Sequence, residues 1–354
     1  MRPLHELLVL DFSTLLPGPL ATLILAEAGA EVVKIERPGG DEMRGWEPKW
    51  GSQSLNFALL NRGKKSVIVD LKNAEQREQL KPLMARADVL VEQFRPGVMA
   101  RLGLDYASVS AINPRIIYCS ITGYGQTGPK RAVAAHDVNY IAEAGLLSLS
   151  MGGLSHPVLP PALIADIAGG SYPAVMNILL ALRERERTAR GRHLDVSMSD
   201  NVFTLAYWAL GRGFATGEWP GNGTDLVTGG SPRYQLYRTR DGRMLAVGAI
   251  EQRFWDTFCD IADLDPALRN DLSDPAATIA RLRDIIAGES AATWSRRIAG
   301  HDCCCSIVAT IEEASRDEHF VARGLFQHTL RDDEGRSMPA MHVPVERAFR
   351  GDPM

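Results

Sequence analysis

Residues 7–35 constrain the fold more than any other stretch. Residues 7–12 (LLVLDF) form an apolar run of strand length, followed by Pro17-Gly18-Pro19. An apolar helix is predicted over 20–28, stopped by Gly29, and a second strand over 31–35. Strand, Gly/Pro loop, helix and strand make a βαβ unit, which implies a parallel sheet with a right-handed crossover. Gly18 and Gly29 stand too far apart for a Gly-x-Gly-x-x-Gly fingerprint, which argues against a nicotinamide enzyme.

The pattern continues with strands at 66–70 and 89–92, a helix at 74–87 between them, and an apolar strand at 116–118. A loop with Gly123, Gly125 and Gly128 then leads to His136-Asp137 and an apolar helix over 138–149. Asp166 opens a long helix reaching Arg183; residues 183–192 read as a solvated charge run. A strand at 193–197 and a helix at 198–216 follow. A hairpin pairs 234–238 with 244–248 across Asp241-Gly242, with amphipathic helices at 252–262, 278–288 and 291–299. The chain is helical again from about Thr310, has a last hairpin across 332–335, and ends irregularly over 347–354. The expected organisation is α/β. A large domain takes residues 1–215 and 311–354, a glycine-rich linker 216–230, and a smaller α/β domain 231–310.

Composition narrows the function classes. With 354 residues, 45% hydrophobic and 23% charged, the chain is of ordinary globular type. A net charge of -4 argues against a general nucleic-acid binder, although a local basic patch could hold an anionic ligand. The N-terminal apolar run is too short for a signal peptide, and no run approaches about 18 unbroken apolar residues, so no membrane partner is expected. Of five cysteines, Cys303, Cys304 and Cys305 are adjacent, a spacing that suits neither a disulfide framework nor a metal site. Free thiols in the cytoplasm and no metal are the expectation.

Basic groups recur just past strands: Arg37; then Lys72; then Arg95 and Arg101. Ligands of open α/β sheets bind beyond the carboxyl ends of strands. These charges are therefore either contacts of a phosphate-rich ligand or simply solvated. His136 sits at a helix start, where free N–H groups suit an anion or a developing oxyanion. Asp166 interrupts an apolar run; position alone leaves open whether it is a helix cap or a working carboxylate. Met151, Met176, Met198 and Met244 could wall an adaptable apolar pocket, although methionines in helices are usually core.

With Gly-Tyr-Gly-Gln-Thr-Gly-Pro (123–129), Ala-His-Asp (135–137), Ala-Asp-Ile-Ala-Gly-Gly (165–170) and Gly-Ala-Ile-Glu (248–251) in this order, the chain resembles the family III CoA-transferase superfamily (CaiB/BaiF type). Among its branches it looks most like the α-methylacyl-CoA racemases. The histidine at 136, where transferases usually carry an aromatic residue, is the discriminating position. Ala135, where glycine is usual, and Cys303–Cys305, where a threonine-proline is typical, depart from the pattern.

The resemblance implies a large Rossmann-like domain with a parallel sheet plus a smaller α/β domain, in an interlocked homodimer. It implies racemisation at the α-carbon of 2-methylacyl-CoA thioesters, with His136 and Asp166 as bases and Glu251, from the other chain, orienting His136. The alternative is a CoA-transferase with Asp166 as nucleophile. Coenzyme A would be bound as part of the substrate, with no further cofactor. Its contacts would be Arg37, Val69, Asp70, Leu71, Lys72, Gln93, Phe94, Arg95, Arg101, Ala135, Asp137, Val138, Asn139 and Tyr140.

Overall fold

Six strands form one parallel sheet: β1 (Leu8–Asp11), β2 (Glu31–Glu36), β3 (Lys65–Ile68), β4 (Val89–Glu92), β5 (Ile117–Thr122) and β6 (Arg192–Ser197). Their order across the sheet is β6-β5-β4-β1-β2-β3. This is the doubly wound order, in which the winding reverses between β1 and β4. The computed structural model describes residues 1–153 and 155–350. The central strands β1, β4 and β5 are buried along their whole length, as expected of parallel strands covered on both faces. β3 is exposed throughout, and its leading Lys65 pairs with Glu31 at 2.6 Å, charge that discourages pairing with a further strand.

Helix α1 (Pro17–Glu27) begins three residues earlier than its apolar pattern predicts. Proline is tolerated in the first helical turn because the N–H it lacks would have no partner there. Similar local effects break three other predicted helices. Residues 74–87 form two helices, Ala74–Gln79 and Lys81–Arg86, the second with proline in its first turn. Helix α2 (Asp137–Glu143) stops before Gly145, whose φ of 80° is left-handed. Residues 198–216 divide into Met198–Val202, a 3-10 turn Phe203–Ala206, and Tyr207–Thr216.

Asp166 does not open an α-helix. It lies in a π-helical turn, Ala165–Ser171, which runs into helix α3 (Tyr172–Thr188). Gly169 and Gly170 make this possible, since a Cβ on Gly169 would sit 2.4 Å from the Met198 carbonyl oxygen. By length and composition Ala165–Thr188 could cross a membrane, but 44% of its apolar window is buried, and it packs on α1, β5 and β6. Within the supposedly solvated run after Arg183, Arg185 is buried; it pairs with Asp88 at 2.9 Å and donates to the Arg115 carbonyl.

The chain divides into two compact units. One comprises Met1–Ala144, Pro160–Leu205 and Val321–Met354; the other comprises Gly145–Leu159 and Ala206–Phe320. The division falls at Ala206, ahead of the predicted linker. Leu149, Ala206 and Ala209 form an apolar cluster with Leu146 and Trp208, which draws both flanking segments into the second unit. The glycine-rich run is structured: Gly213 lies against the Trp219 ring, and Leu226–Thr228 is a capped 3-10 turn.

In the second unit, β7 (Tyr234–Arg238) and β8 (Met244–Gly248) form the predicted hairpin, and β9 (Cys305–Ile307) adds antiparallel to β8. Helix α4 (Gln252–Ile261), with Pro275–Ala287 and Ala291–Ile298, buries Trp255, Phe258, Leu282 and Trp294 against them. Cys303 joins this core, Cys304 is exposed at a φ of 50°, and Cys305 pairs with Val247; all five cysteines are free thiols.

A buried polar network fixes the loop after β1, and no sequence pattern marked it. The Asp11 carboxylate accepts from the Ser13 N–H (2.9 Å), the Ser13 hydroxyl, the Thr22 hydroxyl (2.6 Å) and Lys64 Nζ (3.0 Å). Lys64 also donates to the Pro19 carbonyl and to Asn61. Burial alone would raise the Asp11 pKa, but Lys64, Lys34 and the two hydroxyls hold it well below the ordinary carboxylate range. Asp11→Asn leaves Lys64 without its counter-charge. We expect it to lose roughly 3–5 kcal/mol in denaturant unfolding; a loss under about 1 kcal/mol would show the pair to be dispensable.

Candidate active site

Two cavities open at the carboxyl edge of the sheet. The first, ≈ 470 Å³, lies where the winding reverses, between the loop after β1 (Thr14, Leu15) and the loop after β4 (Gln93 to Pro96). The second, ≈ 500 Å³, runs past the ends of β1, β2 and β3 to Arg101; Thr14 and Phe94 line both.

Gln93, Phe94, Arg95, Ala135, His136, Asn139, Tyr140 and Asp166 line the first cavity. Arg37, Asp70, Leu71, Lys72, Phe94 and Arg101 line the second. Three of the expected coenzyme A contacts lie elsewhere. Val69 is packed in the core with Leu8, Leu10 and Ile35, and Val138 is exposed away from the cavity lining. Asp137 is buried behind the first cavity, where its carboxylate accepts the Asp166 N–H at 2.9 Å. Glu251 belongs to the second unit, exposed at the N-cap of α4. Of the methionines, Met198 lines the first cavity and Met176 is exposed, while Met151 and Met244 lie in the second unit.

The cavity wall is built from close approaches. Gln93 accepts the Gly18 N–H at 3.0 Å, tying the β4 loop to the start of α1. Gly123 lies against Tyr140, where a Cβ would meet the ring at 2.3 Å. The Tyr140 hydroxyl donates to the Ala135 carbonyl at 2.8 Å, and the Asn139 side chain accepts the His136 N–H at 3.0 Å. His136 thus caps α2 from a backbone held on both sides. Neither the Asp137 nor the Val138 N–H donates to an acceptor among the described residues.

Burial raises the Asp166 carboxyl to about 6, and the neighbouring Asp137 carboxylate adds to the rise, while His136 opposes it. The second cavity carries charges of both signs. Arg44 grips Glu36 through two bonds of 2.7 Å and Lys34 pairs with Asp41 at 3.1 Å, which leaves Arg37, Lys72 and Arg101 facing Glu42 and Asp70, a slight basic excess. The three basic side chains suit an elongated anion, and the adjoining cavity offers an imidazole and a carboxyl of raised pKa.

Comparison with known proteins places these features in a family. The model of CoA-transferase family III matches residues 4–351. The chain belongs to CoA-transferase family III. Within it, the chain is 34% identical to the human alpha-methylacyl-CoA racemase over 99% of its own length and 90% of that protein. It is also 36% identical to the human succinyl-CoA:glutarate CoA-transferase, over 76% of its length and 61% of that protein. Its fold matches the crystal structure of a CaiB/BaiF family protein from Brucella suis with a TM-score of 0.82 and 28% identity, covering 97% of this chain and 92% of that one. The family III relatives thus include both racemases and CoA-transferases.

Sequence reasoning missed Asp137 as an anchor of the Asp166 turn, because its adjacency to His136 suggested a ligand contact. It also missed Asp11 and Glu92. Both are acids at or next to the end of an apolar strand, and that placement was the available signal.

The raised Asp166 pKa has a stability consequence. Because the folded value exceeds the ordinary 3.8, ionised Asp166 costs stability; the cost is absent below the ordinary value and complete above about pH 6. Asp166→Asn should therefore become more stable than wild type as pH rises through this window and keep that advantage at pH 7.5, as read by urea unfolding. A constant difference across the window would mean that Asp166 titrates normally.

Proposed function

We propose that this protein racemises the α-carbon of 2-methylacyl-CoA thioesters by proton transfer between two bases through an enolate. The observation that carries this reading is the presence of His136 and Asp166 in the lining of one cavity. The α-proton of a thioester can be removed because the carbonyl delocalises the carbanion. Inversion requires its loss from one face and its return to the other, hence two bases. A carboxyl near 6 can accept a proton and give it back at neutral pH, and each base is worth roughly 10²- to 10⁴-fold in rate. The unpartnered N–H groups at the start of α2, next to His136, would be the donors for the enolate oxygen. Coenzyme A would lie along the second cavity, and the chemistry needs no redox group or metal. The match to a racemase over nearly the whole chain favours this reading.

A second reading is a CoA-transferase in which the Asp166 carboxylate attacks the thioester carbonyl and forms a mixed anhydride as the C–S bond breaks and the CoA thiolate leaves. The similarity to succinyl-CoA:glutarate CoA-transferase supports it. Incubation with a 2-methylacyl-CoA in deuterium oxide, without acceptor acid, separates the two. We expect deuterium at the α-carbon, and loss of inversion in both His136→Ala and Asp166→Ala, because each variant keeps a base on one face only. No incorporation, together with transfer of CoA to an added carboxylic acid, would establish the transferase.

We further propose that Glu251 orients His136 from the partner chain of a homodimer. Co-expressed His136→Ala and Glu251→Ala chains should then regain about a quarter of wild-type activity, since half the dimers are mixed and each carries one intact site. No recovery in a preparation shown to be dimeric would place Glu251 within its own chain's site.

A further inference from the structure

Glu92 is a buried carboxylate, 3% exposed, that the two-base chemistry does not use. It is the last residue of β4, and its side chain turns back to accept the Phe94 N–H at 2.8 Å. The turn held in this way presents Phe94 to both cavities and Arg95 to the first. Glu92 is also the register partner of Ser120 on β5, and the Ser120 hydroxyl interacts with its carboxyl. The same hydroxyl lies 3.0 Å from His193 Nε2 on β6. A polar chain therefore crosses three neighbouring strands, from buried Glu92 through buried Ser120 to His193 on the exposed edge.

The far end of the chain is clamped. The His193 ring stacks on Tyr106 at 5.4 Å and 17° and meets Tyr118 edge-on at 5.4 Å. Along one side runs a third cavity, ≈ 330 Å³, lined by Glu92, Arg95, Ser120, Tyr106 and His193 among others. With open space on that side, packing alone does not hold the turn after β4. Burial lifts the Glu92 carboxyl to about 7, and Asp195 adds to the rise, while Ser120 and the Phe94 N–H pull it down. A group that costly to bury is retained against its own desolvation.

We propose that Glu92 is a positioning residue for substrate: braced by Ser120 and His193, it fixes the turn that presents Phe94 and Arg95 to the bound coenzyme A ester. This rests on the reading of the two cavities as an acyl-CoA site, not on which reaction follows. Its energetic effect should fall on binding, because neither Phe94 nor Arg95 moves the proton.

The test is calorimetric titration with free coenzyme A, alongside α-deuterium exchange kinetics of the full chain. Glu92→Ala should raise Kd and KM together by roughly ten-fold while kcat changes less than about three-fold. Glu92→Gln keeps an acceptor for the Phe94 N–H and should restore most of the affinity. Ser120→Ala removes only the brace and should give a smaller loss in the same direction; it carries the test alone if Glu92→Ala fails to fold. Wild-type affinity in Ser120→Ala, a fall in kcat at unchanged KM, or Glu92→Gln as weak as Glu92→Ala would each overturn the proposal. A wild-type protein that binds coenzyme A but exchanges no deuterium would refute the racemase reading and leave the binding effects of these variants standing.

Discussion

The buried pair of Asp11 and Lys64 holds the site's foundation in place. Asp11 ends the strand at which the sheet reverses its winding, and its two oxygens are consumed by the next loop, by α1 and by Lys64. Lys64, arriving from beyond β2, closes the arrangement by bonding the Pro19 carbonyl inside the first turn of α1. Taking two charges out of water is unfavourable unless every lone pair and proton finds a partner, which is the situation here. The loop is tied to β1, α1 and Lys64, and both cavities share its Thr14. A second buried pair, Lys34 with Asp41 at 3.1 Å, repeats the device one strand over, and Lys34 also donates to the Ser13 carbonyl.

Glycine carries the second constraint. The turn bearing Asp166 passes so close to Met198 that no side chain fits at Gly169, and the wall bearing His136 passes as close to Gly123. His136 and Asp166 are therefore placed by main-chain proximity, not by long connections reaching from a distance. A π-helical turn at Asp166 fits this picture, since an extra residue per turn shifts where the carboxyl points without interrupting the helix.

Much of the fold could be read in advance because its signals were local. Apolar runs of strand length, glycine stops and the Asp241-Gly242 turn identified every strand of the parallel sheet and the hairpin β7–β8. Helix continuity was misjudged where a local event overrode periodicity, at Pro17, Gly145 and the Ala165–Ser171 turn. For the site, most named contacts line one of the two cavities, because they follow strand ends. Val69 and Asp137 do not, because which way a residue faces at a strand end or helix start depends on register. Glycine content suggested a linker over 216–230, while the compact units divide at Ala206, where Leu146, Leu149 and Trp208 share apolar contacts.

Val343 lies fully buried in one cluster with Leu20, Leu23 and Phe57, and the Met341 carbonyl accepts from Arg62. The unit that carries both cavities thus takes part of its core from residues more than three hundred positions beyond α1. On the ribosome, the helix that frames the switch point emerges early and waits with apolar surface uncovered until Val343 has been made. The second unit, built mostly from Ala206–Phe320, has its own strands and core by then. The unit begun first is therefore the one whose core closes last.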